Sequence, residues 1–167
     1  MSLCCCLQTA ETWPLHPNAG QIERLYSALR CGDANAAARL YTDDAHFSDI
    51  AFDLEGRESI RQMWRFVSSR QPSVTFQGIQ ADDTQGKGHW QADYVFSETG
   101  RPVSNLIESS FSFQDGLIKL HHDRCNAWVW ANQAFGFPKS LVPSLFPSLR
   151  RAKAAVLLTQ FSKENPG

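Results

Sequence analysis

The order of local patterns along the chain constrains its fold more than any other feature of the sequence. Apolar residues recur at helical spacing up to about Ser69, whereas from Val74 to Trp128 the chain consists of four β-rich runs divided by turn residues. The segment Gln114-Asp115-Gly116, between the last two runs, is typical of a β-hairpin. Helices followed by consecutive strands predict an α+β domain with a mostly antiparallel sheet, because a parallel sheet would need a crossover between its strands.

The same spacing predicts where individual elements lie. A first helix starts near Gln21, and Gly32-Asp33 ends it and begins a second helix that runs to about Asp44. A short alternating strand follows at residues 45–50, then a turn at residues 54–58 and a third amphipathic helix. The four later strands are predicted at residues 74–79, 88–97, 102–113 and 117–128.

The two ends of the chain are predicted to lie outside the domain itself. Residues 1–19 are expected to form a flexible arm, residues 20–136 the domain, and residues 137–167 a C-terminal extension. Pro143 and Pro147 restrict a continuous helix in the extension to about residues 148–162. We expect this helix to pack over the open end of the sheet, although a basic amphipathic helix can also lie on a membrane. Its predicted apolar face consists of Leu149, Ala152, Val156 and Leu157.

Composition excludes several classes of partner. The chain of 167 residues has 16 basic and 17 acidic side chains, which suits one domain and leaves no broad positive field for nucleic acid. No apolar stretch is long enough for a membrane span, so a membrane partner is not expected. The five cysteines include no CxxC pair, which predicts reduced thiols in the cytoplasm. Acylation of the cluster Cys4, Cys5 and Cys6 is the alternative.

Five segments, taken in order, resemble the SnoaL-like and ketosteroid isomerase-like branch of the nuclear transport factor 2-like superfamily. They are YSALRCGD at residues 26–33, ARLYTDDAHFSD at 38–49, LEGRESIRQMW at 54–64, FSFQDGLIK at 111–119 and HHDRCN at 121–126. The resemblance implies a cone: a strongly curved, mostly antiparallel sheet closed by three N-terminal helices, with a ligand cavity at its wide end. It also implies a homodimer formed through the sheet.

The resemblance implies that Asp49 is a general base, because the family often has an acidic residue just after the second helix. A carboxylate at the mouth of an apolar cavity is desolvated, and its pKa then rises toward a value useful for proton transfer. Ketosteroid isomerase is itself the standard illustration of such tuning. The alternative is that Asp49 only binds the backbone of the turn before Gly56.

Counting along the family pattern also places His121 and Asp123 inside the cavity, as further catalytic residues. Neighbouring residues on a strand face opposite ways, so His121 with Asp123, or His122 with Arg124, can point inward together. The alternative is a structural Asp123 that binds a helix or turn. A metal site formed by His46, Asp49 and His121 is a further alternative, although no metal ligand is predicted.

The oxyanion donors of the isomerases are not matched. The tyrosine position of the first helix falls on Leu25, one residue before Tyr26, and the position of the strand aspartate falls on Ser109. The side chains expected to bind substrate are Tyr26, Phe47, Trp64, Asn105, Ser109, Phe111 and Cys125. Trp128, Trp130 and Phe135 are expected to form an aromatic cluster in the core or at a dimer contact.

Two functions are compatible with these features. The first is an isomerase, cyclase or lyase that needs no cofactor and moves a proton on a small hydrophobic molecule. The second is a binding or assembly module with the same fold and no turnover, because fold alone does not choose between them.

Overall fold

The computed structural model of the chain describes residues 16–140 and 146–166. Within these ranges there are five helices: α1 Pro17–Arg30, α2 Ala34–Ala38, α3 Arg57–Ser68, α4 Ala127–Phe135 and α5 Pro147–Glu164. The same residues form six strands: β1 Tyr41–Ser48, β2 Asp53–Glu55, β3 Ser73–Ala81, β4 Gln85–Phe96, β5 Arg101–Gln114 and β6 Leu117–Cys125.

The six strands form one curved, open sheet in the order β2-β1-β6-β5-β4-β3. β1 and β6 run parallel, and every other pair is antiparallel. The register shifts within the pairs β1-β6, β3-β4 and β5-β6, and bulges of this kind bend a sheet. The predicted fold class, an α+β domain with a mostly antiparallel curved sheet, is confirmed.

The core lies between the concave face of the sheet and the helices α1, α2 and α3. Tyr26 of α1 packs against Phe76 and Trp90 of the sheet, and Trp64 of α3 packs against Phe47 and Trp90. At the start of α2, the Asp33 carboxylate accepts a hydrogen bond from the Ala36 amide and so caps the helix.

The start of β1 differs from the sequence prediction. The second helix ends at Ala38 instead of near Asp44, and β1 begins at Tyr41, whose side chain is fully buried. Between Tyr41 and His46, β1 bulges away from β6, so Asp43 and Asp44 are exposed and the run does not alternate regularly. This irregular alternation is why the sequence pattern misplaced the boundary.

Two further boundaries also differ from prediction. The segment predicted as a turn at residues 54–58 begins with the last two residues of β2, a strand that pairs with the end of β1. β6 ends at Cys125, because the Asn126 side chain accepts hydrogen bonds from the Trp128 and Val129 amides and so starts α4. Trp128 is therefore on a helix, where it is 46% exposed, and not at the end of the last strand.

Helix α5 lies beside α3 and reaches the loops at the wide end of the sheet. Phe161 contacts Phe66 of α3, and Ala154 and Leu158 pack on the core. The inward face therefore differs from the predicted one, because Ala152 and Val156 are exposed. Among the described helices, none combines the length and apolar character needed to cross a membrane. Residues 1–15 of the predicted arm lie outside the described residues, whereas residues 17–19 belong to α1.

The Tyr26 ring fills the space beside Gly88 of β4, so there is no room for a larger residue at this position. A Cβ added at Gly88 would lie 2.9 Å from the Tyr26 hydroxyl oxygen, whereas a Cβ at Gly20 of α1 would meet no atom within 4 Å.

Gly88→Ala is therefore expected to lower the free energy of unfolding by about 1 to 3 kcal/mol, because the core would be overpacked. Gly20→Ala, as the matched control, is expected to raise it by about 0.5 to 1 kcal/mol, because alanine favours a helix interior. Urea unfolding followed by circular dichroism measures both, and a neutral Gly88→Ala would contradict the close packing of Tyr26.

Candidate functional site

A cavity of about 450 Å³ opens at the wide end of the sheet. This volume is within the usual range of small-molecule sites. Its inner wall is formed by buried apolar side chains, and loops together with α4 and α5 surround its opening. The apolar lining includes Phe47, Phe52, Met63, Trp64, Trp90, Ile107 and Trp130. Polar side chains are few on the inner wall, and two of them are the carboxyl groups of Asp49 and Asp123.

Asp49 lies in the turn between β1 and β2 and lines the cavity. Its Oδ1 atom accepts hydrogen bonds from the amides of Ala51 (2.6 Å) and Phe52 (2.5 Å), and its own amide donates to the Phe52 carbonyl. Burial raises the pKa of this carboxyl to about 6, against the opposing effect of the two amides. Asp49 thus has the turn contact expected for a structural residue and also the raised pKa expected for a base near neutral pH.

Asp123 and His121 lie on the same, buried face of β6, as the alternation predicted, and His122 and Arg124 are exposed. The His121 Nε2 atom lies 2.8 Å from Asp123 Oδ1. Ser109, directly opposite on β5, donates a hydrogen bond from its hydroxyl to the same oxygen. The Asp123 carboxylate is therefore fixed from two sides while it lines the cavity.

This polar contact continues into the core through Tyr41. The Tyr41 hydroxyl oxygen lies 2.7 Å from His121 Nδ1, and it accepts a hydrogen bond from Trp64 Nε1 at 3.3 Å. Because the indole N–H can only donate, one assignment satisfies every group: Trp64 donates to Tyr41, Tyr41 to His121, and His121 to Asp123. The chain of bonds is directed from the core toward the cavity.

The predicted site residues divide into two groups. Asp49, Asp123, Phe47, Trp64, Asn105 and Cys125 line the cavity. Tyr26, Ser109, Phe111 and His121 are buried behind its wall, so the structure does not bring them to the cavity surface. Burial raises the pKa of the Cys125 thiol to about 11, so this cysteine forms part of the wall and is a poor nucleophile at neutral pH.

Tyr26 points into the interior although it is one position out of phase with the isomerase tyrosine. Leu25 and Tyr26 are both fully buried, because the helix presents a broad face to the sheet. The Tyr26 hydroxyl lies near Ser109, but it has no hydrogen bond of acceptable geometry among the described residues. It does not reach the cavity and so does not replace the missing oxyanion donor there.

Sequence reasoning missed three contributions to the site. Tyr41 was assigned to a helix, and only the spacing Tyr41, Ala45, Phe47 on a bulged strand could have indicated its inward position. Trp130 of α4 donates a hydrogen bond to the Tyr94 hydroxyl at 2.9 Å, and both side chains line the cavity. Arg150 of α5 also lines the cavity, although it follows the last strand by 25 residues and belongs to the predicted extension.

Arg150 and its neighbours connect α5 to both sides of the cavity opening. Arg150 Nε donates a hydrogen bond to the Ile50 carbonyl at 2.6 Å, next to Asp49, and Arg151 lies near the Asp49 carbonyl and the Asp53 carboxylate. On the other side Lys153 forms an ion pair of 2.7 Å with Glu98, in the turn between β4 and β5. Helix α5 therefore bridges the opening.

The metal alternative finds no support in the geometry. His46 binds Asp53 at 2.6 Å on the outer side of β1, while His121 is inside the sheet. Within residues 16–140 and 146–166, no three histidine, cysteine or carboxylate side chains are placed to hold a metal ion.

Known structures share this fold at low sequence identity. A proposed polyketide cyclase from Xanthomonas campestris pv. campestris is 17% identical over 71% of this chain and 96% of its own, with a TM-score of 0.61. A protein with a ketosteroid isomerase-like fold from Catenulispora acidiphila, solved with trimethylamine, is 14% identical over 68% and 91%, with a TM-score of 0.62. SalBIII, an epoxide hydrolase/cyclase-like enzyme of salinomycin pyran ring formation, is 13% identical over 65% and 89%, with a TM-score of 0.58. At these identities the likeness shows the fold.

Among curated proteins, none is similar enough in sequence to match. A family model, described as the SnoaL-like domain, matches residues 22–121, which include most of α1, all of α2 and α3, most of the sheet and both Asp49 and His121. Helices α4 and α5 lie beyond the match. The chain therefore belongs to the SnoaL-like domain family.

Proposed function

We propose that the protein binds a small hydrophobic molecule in the cavity and transfers a proton to or from it, with Asp49 as the acid-base group. One observation carries the proposal: two carboxyl groups face a mostly apolar cavity, and burial raises the pKa of Asp49 to about 6. A general base is most effective when its pKa is close to the working pH. Isomerisation, cyclisation and epoxide opening are all reactions that such a group can promote.

Asp123 would act as the second acid-base group. Its carboxylate is held by His121 and Ser109, so its orientation toward a ligand is fixed before binding, as efficient catalysis requires. His121 lies behind the wall and is a positioning residue: it links Asp123 to Tyr41 and does not line the cavity. The proposal needs no cofactor, because both groups are side chains of this chain.

The second candidate is a binding module without turnover. The observation in its favour is the pair of hydrogen bonds that Asp49 Oδ1 accepts within its own turn, which give the residue a structural role. Tyr26 and Ser109, at or beside the positions of the isomerase donors, also lie behind the cavity wall. A carbonyl bound in the cavity would therefore lack the donors that stabilise an oxyanion in the isomerases.

A homodimer through the sheet and a cytoplasmic location remain parts of the proposal. Val95, Leu106 and Leu120 are exposed on the convex face of the sheet, where a second copy would cover them. Sedimentation velocity is expected to show a dimer at micromolar concentration and a monomer for Leu106→Lys. A wild-type monomer would exclude this interface.

A fluorescent fusion of the protein tests its location in the cell. A fusion that located to a membrane would contradict the cytoplasmic location.

Substitution of Asp49 tests catalysis directly. Ligands are first found by thermal shift among steroid ketones, terpenoid epoxides and polyketide-like phenols, because binding to the folded state raises the melting temperature. Asp49→Asn is expected to retain ligand binding and to lower turnover, followed by mass spectrometry, by about 100-fold or more. The wild-type rate is expected to rise with pH through about 6, because the base acts when deprotonated.

Asp53→Asn is the matched control, because Asp53 is in the same loop region but binds His46 outside the cavity. It is expected to turn over the ligand like the wild type. Wild-type turnover by Asp49→Asn would contradict the role of Asp49, and tight binding with no turnover in the wild type would favour the binding module.

Stability measurements test the raised pKa without any ligand. The Asp49 pKa is 3.8 when unperturbed and about 6 in the folded protein. Between these values the folded state keeps a proton that the unfolded state has lost, so the contribution of this group to the free energy of unfolding falls as pH rises. Asp49→Asn is therefore expected to raise the free energy of unfolding by about 1 to 3 kcal/mol at pH 8.

This gain is expected to shrink to within about 0.5 kcal/mol near pH 4, where the wild-type carboxyl is protonated in the folded state. Urea unfolding at pH 4, 6 and 8 provides the measurement, and Asp53→Asn is again the control. A loss of stability at pH 8 would mean that the turn needs the charge of Asp49 and that its pKa is not raised.

A further inference from the structure

The charged side chains at the cavity are arranged unequally between its opening and its inner wall. Five basic residues of the described ranges border the cavity, although the whole chain carries a net charge of -1. They are Arg70, Arg124, Lys139, Arg150 and Lys153. The Arg124 side chain lies on the face of β6 opposite to Asp123, so four basic side chains remain, and the three exposed ones, Arg70, Lys139 and Lys153, lie at the opening.

Acidic side chains do not neutralise this opening. Among the described residues, Glu98 is the one exposed acidic residue of the lining, and Lys153 already pairs with it. The two other acidic residues of the lining are Asp49, which is partly buried, and Asp123, which is 5% exposed. Negative charge is therefore confined to the inner part of the cavity, and an excess of positive charge surrounds the opening.

Arg150 is the cation best placed to contact a bound molecule. It is the least exposed of the five, and the Ile50 carbonyl fixes its Nε atom, so its guanidinium group is held beside the Asp49 turn. A second source of positive potential lies close to Arg150. Helix α5 begins at Pro147, and the N-terminus of a helix carries a partial positive charge. Phe146, at the N-cap, has no polar side chain that could offset it.

We infer that the ligand of this cavity is an organic anion, in which a hydrophobic body fills the apolar inner part and a carboxylate or similarly acidic group lies at the opening against Arg150. The inference rests on the proposed function only for the use of the cavity as a ligand site. Charge at the opening attracts such a ligand and orients it, so that its apolar end reaches Asp49 and Asp123. A neutral molecule of the same shape would gain only the burial of its apolar surface.

A pair of probes that differ in charge tests the inference without turnover. 2-Naphthoate and 2-naphthamide have nearly the same shape, and isothermal titration calorimetry measures the affinity of both for the full chain. At low ionic strength 2-naphthoate is expected to bind about two- to fivefold more tightly than 2-naphthamide, which is the size of one partly exposed charge pair. Added salt at about 0.5 M is expected to remove most of this preference.

Substitution of Arg150 is the second part of the test. Arg150→Gln is expected to remove the preference for 2-naphthoate while leaving the affinity for 2-naphthamide unchanged, and Arg150→Lys is expected to keep part of the preference. Arg151→Gln is the matched control, because Arg151 is adjacent on α5 but does not line the cavity. It is expected to behave like the wild type.

Equal affinity for the two probes, absence of binding by both, or a preference that neither salt nor Arg150→Gln changes would overturn the inference. The salt arm uses the wild-type chain, so a variant that fails to fold does not remove the test. Asp49→Asn is expected to keep the preference for 2-naphthoate, because Asp49 does not supply the positive charge. Loss of proton transfer and loss of anion preference are thus separate outcomes.

Discussion

The burial of one carboxylate dictates how the polar interior of this fold is arranged. Asp123 is 5% exposed, and an ionised group at such a position is tolerated only with partners that replace water. The strand register supplies them: Ser109 stands opposite Asp123 on β5, and His121 is two residues earlier on the same face of β6. The Tyr41 hydroxyl forms a hydrogen bond with the other ring nitrogen of His121, Nδ1. A shift of β6 by one residue would turn Asp123 to the convex face and leave its partners without it.

The two carboxyl groups of the cavity have different environments, and this difference suggests different roles. Asp123 is bound by two side chains, so its geometry is fixed by the sheet. Asp49 receives backbone amides on one oxygen only, in a turn at the open end, and burial dominates its pKa. In the proposed function Asp49 is therefore the main acid-base group, and Asp123 is the carboxylate whose orientation is fixed. The turn that orients Asp49 is compatible with this role, because its second oxygen has no hydrogen bond among the described residues.

The sequence was sufficient to predict the fold class, the first, third and last described helices within a few residues and the inward face of β6, but not the end of α2 or the presence of α4. Period-two alternation and the Asp115-Gly116 hairpin carry that information locally. It could not indicate that Tyr41 starts a strand, because the bulge that places it inside is a property of pairing with β6. The division between lining and buried residues was equally inaccessible. Phe111 of β5 and Trp64 of α3 are both buried aromatic residues, yet only Trp64 lines the cavity, and this difference depends on how the elements pack together.

Helix α5 is attached to the Asp49 turn, although the two segments are far apart in the sequence. Arg150 binds the Ile50 carbonyl across 100 positions of sequence. The ribosome synthesises α5 after strands β1 to β6, so the sheet can fold before Arg150 takes its place at the opening of the cavity. The charge that Arg150 brings to the opening is thus supplied by a segment that forms no part of the sheet.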